Sequence, residues 1–378
     1  MIKLGLIGAN RSSLVVEILK SKSFALHATS FFEPILEKRL KFAQRHPDIV
    51  PVATEDEILY SNDIEAVYIA SPIEQHYTQT MKALRSGKHV LCEVPIILTL
   101  DQGIALLEQK SPKNVCMMAE NFCFTPTVLA LEKLISDGCF GEITFIRTGY
   151  FHDCKNLAFD NNSGALTWRG QLRKDLSGND YPTHSIGPVY KLLNTKDNIS
   201  FDTITTFTTK ESAMSAYARE RYPSIEVQDQ QFERADLSLS LIRTTNNILI
   251  ELLLDTVSNR PDSLIDLYIQ GTNGCFMSGR FDNEQPLLYF NKITNGFPAK
   301  VVHPIDTFDF LSSRDQELRK SLGRLFPLYK TLEEFQNAII DGREPLITTE
   351  QSILWSSIIE LSKKSVYSGS QPVKFFKY

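Results

Sequence analysis

The sequence predicts an α/β chain: an N-terminal doubly wound parallel sheet, followed by a second α/β part built on a mostly antiparallel sheet. Three observations carry that expectation. Apolar strand-like runs alternate with helix-period segments over the first third. Beyond Cys123 the alternation stops, and later strand-like runs succeed one another with turns between them. The third is size, since 378 residues with 42% hydrophobic, 10% aromatic and 22% charged content can bury a large core. That length suggests two domains, divided here as 1–122 and 123–378.

The elements follow in order. Strand-like Ile2–Ile7 precedes a helical Leu14–Lys20; Phe24–Phe32 precedes Pro34–Arg45; Ala66–Ala70 precedes Glu74–Ser86; His89–Cys92 precedes Leu100–Gln109. Such alternation predicts parallel strands joined by right-handed crossovers, hence a nucleotide-binding domain with phosphate at the turn after the first strand. The second part opens with a helix, Thr127–Ser136, and a strand, Glu142–Tyr150. A polar loop then runs through Asn179, with turn residues at Asn161, Asn162, Ser163 and Gly164. Strand-like runs at Asp202–Thr208, Ala235–Arg243, Asn247–Leu254 and Leu264–Gln270 fit an antiparallel sheet. The final helices, Leu332–Ile340 and Thr349–Ser365, each carry an apolar face for packing.

The turn after the first strand reads Gly8-Ala9-Asn10-Arg11-Ser12-Ser13, with Asn10 and Ser13 where a dinucleotide fingerprint has glycine. Gly8 makes the tight turn, Asn10 tolerates a left-handed conformation, and Ser13 is small enough for helix packing. Glu33 ends the second strand about 25 residues on, where an acid accepts hydrogen bonds from an adenosine ribose. This favours NAD over NADP, although Arg11, Lys38 and Arg39 could neutralise a 2′-phosphate. The plainer reading of Glu33 is a solvated carboxylate at a helix start. Further along, Ser177 to Pro188 packs Asp180, Tyr181, Thr183, His184 and Gly187 into one turn that opens a helix. Tyrosine and histidine there can move protons near neutral pH; the plainer reading is a Tyr-Pro turn followed by a core histidine.

Ile69-Ala70-Ser71-Pro72 with His76, Gly87-Lys88-His89-Val90 and Cys92-Glu93-Val94-Pro95 resemble the glucose-fructose oxidoreductase, inositol dehydrogenase and MocA family. The resemblance covers essentially the whole chain and implies a Rossmann domain followed by an open, mostly antiparallel α/β domain. That family usually has Glu-Lys-Pro where this chain has Glu93-Val94-Pro95, and valine carries no proton. A Glu-Val-Pro triplet is similar to glycoside hydrolase family 109, a nicotinamide-dependent branch that includes α-N-acetylgalactosaminidases. Four further matches follow in order: Met117-Met118-Ala119-Glu120-Asn121, Gly149-Tyr150-Phe151-His152-Asp153, Thr167-Trp168-Arg169 and Tyr181-Pro182-Thr183-His184. The resemblance implies that Ser71, Ile73, His76, Glu93, Val94 and Asn121 contact the nicotinamide end of NAD. It also implies that Tyr150, Trp168, Arg169, Tyr181, Thr183 and His184 surround a sugar, with His184 and Tyr181 moving protons and Asp180 orienting them. Helix capping by His76, a turn role for Asn121 and a core role for Tyr150 stand as the plainer alternatives. Two positions depart from the branch: Asn259-Arg260-Pro261-Asp262-Ser263 lacks its tyrosine, and Asp180 replaces an apolar residue.

The implied activity is glycoside hydrolysis through a hydride taken from a sugar carbon and later returned. Alternatives are a net NAD(P)-dependent sugar or polyol dehydrogenase and a non-catalytic nucleotide-binding relative. A net charge of −5 without a long Lys/Arg run argues against nucleic acid or an anionic membrane, so the expected partner is a small sugar or glycoside. The resemblance adds a homo-oligomer, dimer or tetramer. No run approaches the roughly 20 apolar residues of a membrane span, and a strand at Ile2 leaves no room for a leader, so a cytoplasmic location is expected. The 6 cysteines lack zinc spacing, which favours reduced thiols and no metal.

Overall fold

The computed structural model describes residues 1–195, 198–222, 227, 229–257, 259–281, 284–300, 302–304 and 310–376. They form two compact units, Met1–Thr125 with Ser313–Ser357, and Pro126–Ser312 with Ile358–Tyr378.

The first unit is the expected parallel sheet. In chain order it comprises β1 (Ile2–Ile7), α1 (Ala9–Ser21), β2 (Leu26–Phe32), α2 (Leu36–Arg45), β3 (Val50–Pro51), α3 (Asp56–Leu59), β4 (Ala66–Ile69), α4 (Ile73–Arg85), β5 (His89–Cys92), α5 (Leu100–Gln109) and β6 (Cys116–Met118). The strand order is β3-β2-β1-β4-β5-β6, with every pairing parallel. All four residues of β4 are buried, as a parallel strand covered on both faces requires. Order reverses between β1 and β4, so a ligand crevice belongs at the carboxyl ends of these strands. The sequence reading missed β3 and α3, because a two-residue exposed strand ending in proline has no apolar run to betray it.

By contact, 313–357 clusters with the first unit. Gln336 Oε1 accepts a hydrogen bond from Leu26 N–H (3.2 Å), and Thr349 Oγ1 donates to the Cys116 carbonyl (3.1 Å). Leu332, Phe335 and Trp355 are sealed from solvent, so this returning segment completes the core.

The second unit contains α6 (Pro126–Ser136), β7 (Ile143–Phe151), α7 (Trp168–Asp175), α8 (Thr183–Leu193), β8 (Phe201–Thr208), α9 (Ala213–Arg221), β9 (Leu237–Thr244), β10 (Leu249–Asp255), β11 (Ser263–Gly271), β12 (Gly274–Met277), β13 (Leu287–Phe290), β14 (Val302–Pro304) and β15 (Val373–Lys374). Its sheet runs β14-β13-β12-β11-β7-β10-β9-β8-β15 and is antiparallel except where β7 lies parallel to β10. Period-2 burial buries Ile250, Leu252 and Leu254 and leaves Leu249, Glu251 and Leu253 on the more open face. The stretch expected as a polar loop before Asn179 holds a helix, α7. Thr167 starts it by accepting the Gly170 N–H (3.3 Å) at its hydroxyl, so Trp168 and Arg169 lie in a helical first turn.

Candidate functional site

Strand topology gathers the expected cofactor residues of the first unit along one edge. Gly8, Asn10, Arg11 and Ser13 follow β1, Glu33 follows β2, Ser71, Ile73 and His76 follow β4, Glu93 and Val94 follow β5, and Asn121 follows β6. Gly8 has φ 93°, and a Cβ built on it would lie 2.4 Å from the Ala70 carbonyl oxygen, so glycine is required. Asn10 is not left-handed, contrary to expectation; α1 begins at Ala9 and Gly8 alone absorbs the turn. The start of α1 has no side-chain cap and no acidic residue in its first turn, an arrangement that suits a pyrophosphate.

Glu33 is buried rather than solvated. Its Oε2 accepts the Ala9 N–H (3.0 Å) and its Oε1 the Ile35 N–H (3.1 Å), which fixes the carboxylate beside the helix start. Next to it a groove of about 380 Å³ is lined by Ala9, Asn10, Ser13, Ile35, Lys38 and Phe42. The Gly8 cradle and this groove fit a dinucleotide. A wider groove of about 630 Å³ includes Lys3 at the start of β1 and Asp63 before β4, the amino end that parallel sheets do not use for ligands.

Several expected cofactor residues have protein partners. Arg11 Nε lies 3.2 Å from Glu93 Oε1, which also accepts the Tyr68 hydroxyl hydrogen bond. Burial, with Glu93 beside it, pushes the Tyr68 phenol well above its usual range. His76 ties the ends of two strands together, its Nδ1 2.8 Å from the Pro95 carbonyl and its Nε2 3.0 Å from that of Ser71. Burial lowers its pKa against the opposite pull of those carbonyls, and a neutral ring donates to only one of them. His76 therefore shapes the edge as a clip, and Val94 is buried.

In the second unit, the expected sugar residues Tyr150, Tyr181 and His184 come together. The Tyr181 hydroxyl and His184 Nε2 share a hydrogen bond of 3.2 Å. Tyr150 stacks at 5.7 Å from the Tyr181 ring and 5.6 Å from that of His184. Trp168 and Arg169 pair with each other on α7, the guanidinium 4.1 Å from the indole centroid. Thr183, in the first turn of α8, is fully buried.

Four residues around the start of α8 keep buried polar atoms without a hydrogen-bond partner among the described residues: both amide atoms of Asn179, Asp180 Oδ1, Thr183 Oγ1 and Ser185 Oγ. Native interiors leave few such atoms, and each costs about 1–3 kcal/mol unless a ligand or water satisfies it. Asn179 was missed in the sequence because asparagine after Gly178 reads as an ordinary turn residue.

Two buried arginines were missed as well. Arg234 Nη1 holds Asp180 Oδ2 at 2.8 Å, with the two side chains 10% and 6% exposed. Its N–H donates to the Arg173 carbonyl (3.0 Å), and Arg173 Nη2 donates to the Thr256 carbonyl (3.3 Å). Burial and the neighbouring Arg234 charge pull the Arg173 guanidinium down to about 9. Asp180 is thus anchored at one oxygen. Nothing in the local pattern around 234 signals this pairing, which the tertiary fold creates across 54 residues.

A family model for the glycosyl hydrolase 109 C-terminal domain matches residues 124–378, and one for the oxidoreductase family, NAD-binding Rossmann fold, matches residues 2–121. A glycosyl hydrolase family 109 protein of Solibacter usitatus is 27% identical over 334 residues, 85% of this chain and 72% of that one. An alpha-N-acetylgalactosaminidase of Shewanella oneidensis is 32% identical over 223 residues, 58% of this chain and 48% of the other. A levoglucosan dehydrogenase structure in complex with NADH and L-sorbose superposes with a TM-score of 0.78 over 100% of this chain and 99% of that one, at 19% identity, a likeness of fold.

Proposed function

This chain belongs to the glycosyl hydrolase 109 family, with an NAD-binding Rossmann fold before the family domain, and on that premise we propose that it cleaves a glycosidic bond by redox assistance. The first substrate to try is an α-N-acetylgalactosaminide, the sugar in the name of its Shewanella relative. The observation that carries the proposal is the hydrogen-bonded phenol–imidazole pair of Tyr181 and His184 with the Tyr150 ring against both. A phenol–imidazole pair moves the protons that sugar chemistry needs.

In this reading Gly8, Asn10, Ser13 and Glu33 hold the pyrophosphate and ribose, while Ser71, Ile73, Glu93, Val94 and Asn121 border the nicotinamide side. Bound NAD⁺ supplies a two-electron sink that makes a neighbouring C–H acidic while the hydride is held. His184 and Tyr181 remove and return protons, Asp180 on Arg234 fixes their loop, and Tyr150, Trp168, Arg169 and Thr183 grip the ring. The more open apolar face of the sheet, around Leu249 and Leu253, is where we place a homo-oligomer contact.

A panel of nitrophenyl glycosides, with and without NAD⁺, tests the reading. Nitrophenol release without accumulating NADH is the expected result. NADH accumulating with a free sugar would replace it with a net dehydrogenase. His184→Ala should lower kcat by about 10²–10⁴-fold and leave NAD affinity unchanged; undiminished turnover would take His184 out of the chemistry.

A further inference from the structure

Strand register brings a second imidazole and a carboxylate to Tyr150. In the antiparallel pair β7–β11, Phe151 faces Ser263, so the next residues outward, His152 and Asp262, emerge side by side. The Tyr150 hydroxyl lies 3.0 Å from His152 Nδ1. On the other side of the ring, His152 Nε2 is 3.8 Å from Asp262 Oδ2, within ion-pair range. Asp262 Oδ1 accepts the Asp153 N–H at 3.3 Å, which turns the carboxylate toward the imidazole.

Two staples fix this arrangement. The Arg260 guanidinium sits 4.0 Å from the centroid of the Phe151 ring. Lys155 Nζ donates to Asp153 Oδ2 (2.8 Å), the Val257 carbonyl (2.7 Å) and Asn259 Oδ1 (2.9 Å). Exposure rises outward along the chain of groups. Tyr150 is 9% exposed, and the side chains of His152 and Asp262 are 35% and 46% exposed.

We propose that His152 and Asp262 are positioning residues that connect the Tyr150 phenol to solvent as a proton relay. The proposal rests on the reading that Tyr150 touches a sugar, and it gives that tyrosine an acid–base task in addition to grip. As a substrate hydroxyl loses its proton, that O–H bond breaks and a new O–H bond forms on the phenol. The proton already on Tyr150 moves to His152 Nδ1. The resulting imidazolium keeps its Nε2–H toward Asp262 until water takes that proton, and no electrons change hands. Asp262 fixes the tautomer with Nδ1 free to accept, since a neutral ring carries one N–H.

The variants Asp262→Asn, His152→Ala and Tyr150→Phe, in the full chain, test the relay in two independent ways. In turnover, Asp262→Asn should lower kcat by roughly 10- to 100-fold while KM stays within about twofold, the mark of a group acting on a proton step. His152→Ala should lose more, and added imidazole should restore part of kcat, a rescue that a packing role would not give. A raised KM with unchanged kcat, or no rescue, would overturn the relay. The second test needs no substrate. With the His152 ring signals assigned by their loss in His152→Ala, histidine NMR should show them displaced by Tyr150→Phe and again by Asp262→Asn. Signals unmoved by both changes would refute the relay even if no sugar is ever turned over. If they move and every sugar tried is inert, the Tyr150–His152–Asp262 hydrogen-bond chain stands, but the relay from a sugar and the glycosidase reading both fail.

Discussion

Ser13, expected to ease helix packing where a fingerprint glycine would stand, instead hydrogen-bonds His46, whose Nε2 lies 2.7 Å from its hydroxyl. His46 is 3% exposed and packs on Phe42 with ring centroids 4.7 Å apart. Burial, reinforced by the Lys20 and Arg45 charges, lowers its pKa from the usual 6.5. The unfolded chain therefore binds a proton that the folded one resists. Stability contributed here is complete above the unfolded value and falls as pH drops through about 6.5. Thermal melts of the wild type and His46→Gln across that window should diverge, with the variant showing the flatter acid limb; parallel curves would discharge His46 from this role. The residue scale is also where sequence reading was most uneven. Tyr181 and His184 were legible as a pair because they lie three positions apart where a helix opens. Arg234 and Asp262 were not, since their partners Asp180 and His152 lie far off in the chain and meet them only through folding.

At the scale of elements, the junction of β1 with α1 concentrates the constraints of the cofactor edge. Alanine at Gly8 would need φ 93° and would press its methyl against the Ala70 carbonyl at 2.4 Å. Strain of this kind, with the clash, costs about 2–4 kcal/mol. Gly8→Ala should lower Tm and abolish the thermal shift that NAD gives the wild type; a variant still shifted as strongly by NAD would show that this turn is not the pyrophosphate seat. Alternating patterns made most elements of the first unit legible, since buried parallel strands write themselves as apolar runs. The polar α7 escaped because its start depends on one threonine cap and its sequence lacks an apolar stripe. The mixed character of the second sheet was equally hidden. Local pattern cannot tell that β10 runs parallel to β7 when every other pairing is antiparallel.

For the whole molecule, the composition of the first unit from two stretches of chain governs how it holds together. Residues 1–125 supply every strand of its sheet, while 313–357 supply Leu332, Phe335 and Trp355 to its core. Expressed alone, 1–125 should lack a cooperative melting transition, and the same piece joined by a short linker to 313–357 should regain one. A sharp transition in the shorter piece would show that the returning helices are ornamental. This discontinuity also sets a schedule for synthesis. A ribosome releases the nucleotide-binding strands first, yet they wait for residues that follow all but the last strand of the second sheet. At about 5–20 residues per second the delay is on the order of 10–50 s. Throughout that interval the surface destined to receive Trp355 and Phe335 is open, so the nascent chain is a natural client for chaperones. Completion of the cofactor-bearing unit therefore waits until 313–357 has been translated.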